Sequence, residues 1–285
     1  MMVSSAANAV AVVLLLQSTC WIGVLALHDI TVEGGERRSG GEVNWDYSDG
    51  PRGPAHWHEL KCDWAVCKTG KQQSPILVER KDLVSKPNLG PLKYEYRPGG
   101  IPATIVNEGH AVVVEFPTDR SYGYISIDYW PYQLRQFHYH MPSEHRFVTP
   151  DSSNRSYALE IHQVYKADCP PFFGGSLAVV SYLFDEGAES PFLAQFCDKL
   201  PSYQTQHVKK SIGNITLMEM WKSYGQYIGS LTTPPCTEQV TWTINWNVYT
   251  ASKRQLDLLR AALPHTNNRP TFSSTGRGFG VWPEP

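Results

Sequence analysis

The sequence predicts a mainly β domain of the α+β kind, with a few helices at its periphery. Three observations predict it. The apolar segments are short and rich in β-branched and aromatic residues. Turn clusters such as NEG, PTDRS and TPDSSN separate them, and only two stretches carry helical patterning. With 41% hydrophobic and 12% aromatic residues the chain can bury a substantial core. No low-complexity linker or solenoid-spaced repeat interrupts residues 42–283, so a single domain over 42–285 is expected.

In chain order, residues 1–27 read as a secretory signal peptide, with an apolar run and small residues near Ala26. The segment lacks a basic start and is long for a signal, which leaves an uncleaved N-terminal membrane anchor as the alternative. Residues 28–41, rich in Gly and charge, read as a linker. Strands are expected at 103–107, 111–116, 122–127, 134–140, 158–165, 177–184 and 238–246. A helix is expected over 252–263, where Ser252 and Gln255 have capping-box spacing, and a second over 189–200. No hydrophobic C-terminal tail signals a lipid anchor or a second span.

Secretion is consistent with sequons at Asn154 and Asn214. It would remove Cys20 and leave five cysteines in an oxidising compartment: Cys62, Cys67, Cys169, Cys197 and Cys236. An odd number leaves one free or intermolecular. The formal net charge of −2, with no long run of one sign, provides no footprint for nucleic acid and no polybasic patch for an anionic membrane. A small substrate fits that balance.

The chemistry concentrates in RQFHYHMPSEH, residues 135–145, which hold three of the ten histidines. Side chains alternate along a strand, so Gln136, His138 and His140 share one face while Phe137 and Tyr139 take the other. A catalytic zinc uses three protein ligands and keeps an open position. His138 and His140 would supply two. ALEIHQVY offers His162 as a third, with Glu160 and Val164 on the same face. Glu160 and Gln136 would then fix imidazole tautomers. Spacing alone leaves zinc, copper and iron open, beside a purely structural polar cluster.

KQQSP (71–75), NEGHAVVVEF (107–116), QFHYHMPSEH (136–145), LEIHQVY (159–165), GSLTTPPC (229–236) and NNRP (267–270) occur in this order at fitting separations. Together they closely resemble the α-class carbonic anhydrases, over about Trp45 to Arg269. The short MPSEH connection is more similar to plant, algal and bacterial members. The resemblance implies a large, twisted, mostly antiparallel central sheet. It also implies a zinc ion on His138, His140 and His162, with reversible hydration of carbon dioxide to bicarbonate by attack of zinc-bound hydroxide. Thr232 matches the threonine whose hydroxyl accepts a hydrogen bond from that hydroxide and donates one to Glu144. The apolar substrate pocket falls on Val164, Val179, Leu231, Val240 and Trp242. His110 falls at the proton-shuttle position and Tyr47 at a tyrosine that organises the water chain. His145 falls at a buried structural position near Tyr227.

Two positions depart from the pattern of fast mammalian members: Val113 and Glu108 replace asparagines of the polar wall, implying a slower or differently tuned relay. Cys67 and Cys236 match the disulfide of extracellular members, which would tether the Thr232 loop and contribute roughly 4–5 kcal/mol on the chain-entropy argument. Cys62, Cys169 and Cys197 lie outside the pattern, and the His56 and His58 pair falls in a structural N-terminal segment. The secretory route leads outside the cell or to another of its compartments, a plastid lumen included. A non-catalytic storage, mineral-matrix or ligand-binding relative is the rival from another class. Such relatives commonly lose a ligand histidine, and this chain keeps all three. Ester hydrolysis by the same nucleophile is a plausible side activity.

Overall fold

The computed structural model describes residues 44–169, 175–219 and 223–283. The predicted leader and linker, residues 1–41, lie outside them. Within the described residues the strands are β1 (Ile76–Val78), β2 (Leu83–Ser85), β3 (Lys93–Tyr96), β4 (Ile101–Asn107), β5 (Val112–Glu115), β6 (Gly123–Ile127), β7 (Trp130–His140) and β8 (Arg146–Val148). The chain continues with β9 (Asn154–Arg155), β10 (Leu159–Lys166), β11 (Leu177–Glu186), β12 (Lys210–Ile215), β13 (Tyr224–Ser230), β14 (Glu238–Ala251), β15 (Phe272–Ser273) and β16 (Phe279–Trp282).

A twelve-stranded sheet dominates, in the order β12-β4-β5-β7-β10-β11-β14-β13-β16-β2, with β6 pairing both β7 and β3. It is mostly antiparallel, as expected, but β11 runs parallel to β14 and β16 parallel to β2. A four-stranded sheet, β15-β1-β8-β9, accompanies it. All seven predicted strands form, β7 and β14 being longer than their apolar cores.

The alternation in β7 does what the sequence requires of it. Phe137 and Tyr139 enter the larger hydrophobic cluster, Phe137 packing on Phe192 and Phe196 at ring separations of 5.2 and 5.3 Å. The opposite face is left to Gln136, His138 and His140. The helix expected over 252–263 spans Lys253–Ala261 with its capping box complete: Ser252 accepts from the Gln255 backbone, and Gln255 accepts from the Ser252 backbone.

The second expected helix shrinks. Only Pro191–Ala194 is α-helical, followed by a tight turn at Cys197–Lys199. Gln195 and Phe196 donate three residues back, to Phe192 and Leu193, rather than four. The Gln195 side chain also donates to Phe192 and Thr216, holding the segment against the strand end. Burying Phe192, Leu193, Phe196 and Cys197 outweighs helix continuation.

Candidate active site

β7 and β10 are antiparallel neighbours, with His162 directly opposite His138 and Glu160 opposite His140. This register converts two strand motifs into one cluster: candidate ligand atoms of His138, His140 and His162 lie within 4.8 Å of one another. One nitrogen of each ring is already committed. His138 Nδ1 donates to Gln136 Oε1 at 2.9 Å, His140 Nδ1 to the Asn267 carbonyl at 2.5 Å, and His162 Nε2 to Glu160 Oε1 at 2.9 Å. The remaining nitrogens, Nε2, Nε2 and Nδ1, face inward, and the buried His140 Nε2 has no hydrogen-bond partner. Burial lowers all three imidazoles, His140 to about 4, so they are neutral donors at neutral pH. Three neutral, tautomer-fixed imidazoles with free lone pairs suit zinc.

Glu160 organises the floor. Burial pushes its carboxyl up, but the adjacent His145 and His162, with their hydrogen bonds, outweigh that and hold it well below the usual range. It accepts from the Glu144 and His145 backbones at 2.8 Å, His145 Nδ1 at 2.6 Å, His162 Nε2 and Ser181 Oγ at 2.5 Å. His145 is fully buried, and its Nε2 lies 2.8 Å from Tyr227 Oη, which continues to Ser74.

Glu144 sits behind the ligands, its Oε2 3.5 Å from His140 Nε2 and 4.0 Å from His162 Nδ1. Oε1 accepts the Arg269 backbone N–H at 2.8 Å, whereas buried Oε2 has no partner. Burial raises this carboxyl to about 7, against lowering by His162, the Arg269 amide and the Thr232 hydroxyl. Thr232 therefore lies close enough to act on Glu144, although no hydrogen bond of full geometry joins Thr232 to Oε2.

Val164, Val179, Val240 and Trp242 are buried in one cluster with Leu231 against it. Val164 is paired across from Val179, and Val179 from Trp242. The Trp242 ring packs 4.7 Å from His162, with its N–H donated to the Ser230 carbonyl. The apolar side chains thus form a wall beside the imidazoles.

At the rim His110, half-buried, packs tilted against Trp45, with ring centroids 4.1 Å apart. Burial, with His207, His140 and His265 nearby, lowers it to about 4. Tyr47 packs on Trp45 and Trp57, its hydroxyl buried without a partner. Val113 faces His138 across β5 and β7.

Cys67 and Cys236 form a disulfide spanning 169 residues, with Cα atoms 5.0 Å apart. Cys62 and Cys197 are free thiols. His56 and His58 pair with Glu59, and His58 also with Lys68, away from the ligand cluster. Asn154 and Asn214 are exposed.

Residue patterns did not assign roles to Asn267, Arg269 or Ser181. The first two lie in NNRP, a motif quoted above without a role. Ser181 is found only through its register opposite His162. Asn267 also accepts the Met141 N–H and donates to the Tyr139 carbonyl, pinning the end of β7.

The eukaryotic-type carbonic anhydrase family model matches residues 52–277. Alpha carbonic anhydrase 7 of Arabidopsis thaliana is 34% identical over 252 residues, 85% of this chain and 86% of the relative. The alpha-carbonic anhydrase of Thermovibrio ammonificans, solved with sulfanilamide, superposes with a TM-score of 0.74 at 32% identity, over 84% of this chain and all of that one. Dioscorin, solved with ascorbate, gives 0.75 at 32% identity, over 84% of this chain and 97% of its own. Fold, ligand geometry and sequence agree: the chain belongs to the α-class, eukaryotic-type carbonic anhydrase family.

Proposed function

We propose that this chain is a zinc enzyme catalysing the reversible hydration of carbon dioxide to bicarbonate and a proton. The observation that carries the proposal is the set of three imidazoles, His140 and His162 buried and His138 half-buried, whose outer nitrogens are all committed and whose inner nitrogens converge. Zinc held by His138, His140 and His162 supplies the Lewis acidity that makes water a nucleophile at neutral pH.

The chain's own residues set direction. Arg269 occupies Glu144 Oε1, so Oε2 is the acceptor left for the Thr232 hydroxyl hydrogen. Thr232 Oγ1 is then restricted to accepting a hydrogen from the reacting water, which turns a lone pair toward substrate. Val164, Val179, Leu231, Val240 and Trp242 give an apolar molecule a place beside the ligands without competing hydrogen bonds. The proton leaves past Tyr47 and His110.

A secretory destination, outside the cell or in a compartment reached by that route, is part of the same proposal. It is supported by the Cys67–Cys236 bridge and by sequon asparagines on the surface. Among the described residues no helix is long and apolar enough to cross a membrane, and residues 1–27 are proposed as a leader, or an anchor if uncleaved.

Stopped-flow hydration of carbon dioxide, with zinc measured on the same sample, is the test. One zinc per chain with hydration abolished by His162→Ala is expected. Full zinc without hydration overturns the proposal in favour of a ligand-binding role, the case for which is the likeness to dioscorin, solved with ascorbate.

A further inference from the structure

The rim carries a hydrogen-bonded histidine–carboxylate pair beside the turn that presents His110. His207 lies in the loop before β12, exposed, with its Nδ1 2.9 Å from Glu108 Oε2. Its backbone adopts a left-handed φ of +62°, and its N–H donates to the Asn107 carbonyl at 2.9 Å. A non-glycine residue in that region is uncommon and must be held there by its surroundings. Gly109 abuts Gln206, so closely that a Cβ would stand 2.9 Å from the Gln206 amide oxygen. The His207 loop is therefore docked on the same turn that presents His110. Glu108, one of the two departures from the asparagine-lined wall, is the residue that receives it.

We infer that His207, oriented by the carboxylate of Glu108, takes up the proton that leaves the site through His110 and hands it to solvent. With Nδ1–H donated to Glu108, His207 Nε2 carries the lone pair that accepts the proton. The resulting imidazolium is neutralised by Glu108 and then gives the proton to a buffer base. The inference rests on the carbonic anhydrase reading and deepens it.

Burial lowers His110 to about 4, and His207 contributes to that lowering. The exposed His207 ring, docked on the same turn as His110 and held by Glu108, gives the proton a solvent-facing acceptor beyond His110. The other charged groups nearby are accounted for. Lys209 is paired with Glu115 at 2.6 Å, and His140 is a metal-ligand candidate. His265, across the rim, turns Nδ1 to the Thr266 carbonyl and lies within electrostatic reach of Asp46, without a hydrogen bond to a carboxylate among the described residues.

The test compares parent, His207→Asn, Glu108→Gln and His110→Ala enzymes in stopped-flow hydration over a range of buffer concentrations. Asparagine tolerates the left-handed backbone, so folding is kept. In dilute buffer His207→Asn should lower kcat on the order of tenfold, a part of the ~10²–10⁴ that positioned acid–base groups supply. kcat/KM should not change, and exogenous imidazole should restore the rate. Adding His207→Asn to His110→Ala should cost nothing more, because the two act in series. In the metal-free protein, nitrogen NMR should show His207 protonated at Nδ1, a signature lost in Glu108→Gln. An active parent whose kcat ignores His207 at every buffer concentration overturns the relay alone. A zinc-loaded parent that does not hydrate carbon dioxide overturns the functional reading and the relay with it.

Discussion

Glu144 and Glu160 are both fully buried within one network, and the fold drives their carboxyl groups in opposite directions. Glu160 is held below its ordinary 4.5 despite burial, because His145 and His162 donate to it. Its contribution is present above the unfolded value and is lost as pH falls through the lower folded one. Glu144 is raised to about 7 by burial. Its contribution is full below about 4.5 and is lost as pH rises through about 7. The lowered imidazoles of His110, His138, His140 and His162 work the other way, adding stability as pH rises from their folded values to the ordinary 6.5. Glu144 therefore opposes a gain that the imidazoles drive, and Glu144→Gln should make the metal-free protein's rise in stability between about pH 4.5 and 7 steeper in urea unfolding. An unchanged slope in Glu144→Gln would remove Glu144 as the opposing group. Glu160→Gln sets an amide N–H₂ against a ring of donors. It should cost about 3–5 kcal/mol, as breaking buried charged networks does. Zinc affinity should weaken roughly 10–100-fold, read by chelator competition, because the His162 tautomer is no longer fixed.

The helix Lys253–Ala261 ties the far side of the sheet to the ligand strand, since Tyr139 donates to the Leu259 carbonyl at 2.8 Å. Its cap gives a graded prediction. Ser252→Ala removes one capping hydrogen bond and should cost about 1 kcal/mol. Gln255→Ala should cost more, about 2–3 kcal/mol, because the buried Gln255 amide also bonds both the N–H and the carbonyl of Ser190. Urea midpoints with unchanged m-values would measure both, and equal losses would mean that the Ser190 contacts contribute nothing. Such elements were legible in sequence because their signals are local: the cap spacing, and the i, i+2 alternation that put His138 and His140 on one face. The strand β13, YGQYIGS, was not, because its two glycines break the β-branched pattern although it is paired on both sides. The short edge β12 hides for the same reason, with Gly213 at φ +84° where its register shifts. In the site, the clustered histidines and the Glu160 partner were readable within two residues of each other. The Asn267 carbonyl that fixes His140 lies 127 residues away, and Glu108 lies 99 from His207, separations that no periodicity reports.

Across the whole molecule the candidate ligands and the groups proposed to aim the chemistry are held by different means. His138, His140 and His162 lie on adjacent central strands, fixed by the β7–β10 register. Thr232 lies in the turn between β13 and β14, closed by Leu231 N–H to the Thr237 carbonyl and Cys236 N–H to the Thr233 carbonyl. The Cys67–Cys236 bridge ties that turn to the N-terminal segment. A hydrogen-bond chain runs from the same place: the Cys236 carbonyl accepts from Gln73 Nε2, Gln73 Oε1 accepts from Arg269 Nη1, and the Arg269 backbone reaches Glu144. Arg269 Nη2 also donates to the Cys67 carbonyl at 2.9 Å. Opening the bridge therefore strikes Thr232 and Glu144 first and the imidazoles last. Replacing Cys67 and Cys236 by serine frees a loop of this length, for which the chain-entropy cost is about 5 kcal/mol. The midpoint of thermal unfolding should drop on the order of 10 °C. Below that temperature the variant should keep its zinc while hydration falls, because no ligand depends on the tethered turn. Zinc content and initial hydration rate measured on one preparation separate the two. If zinc is lost in step with activity, the ligand strands themselves lean on the bridge, and the division between a sheet that holds metal and a tether that aims Thr232 is wrong.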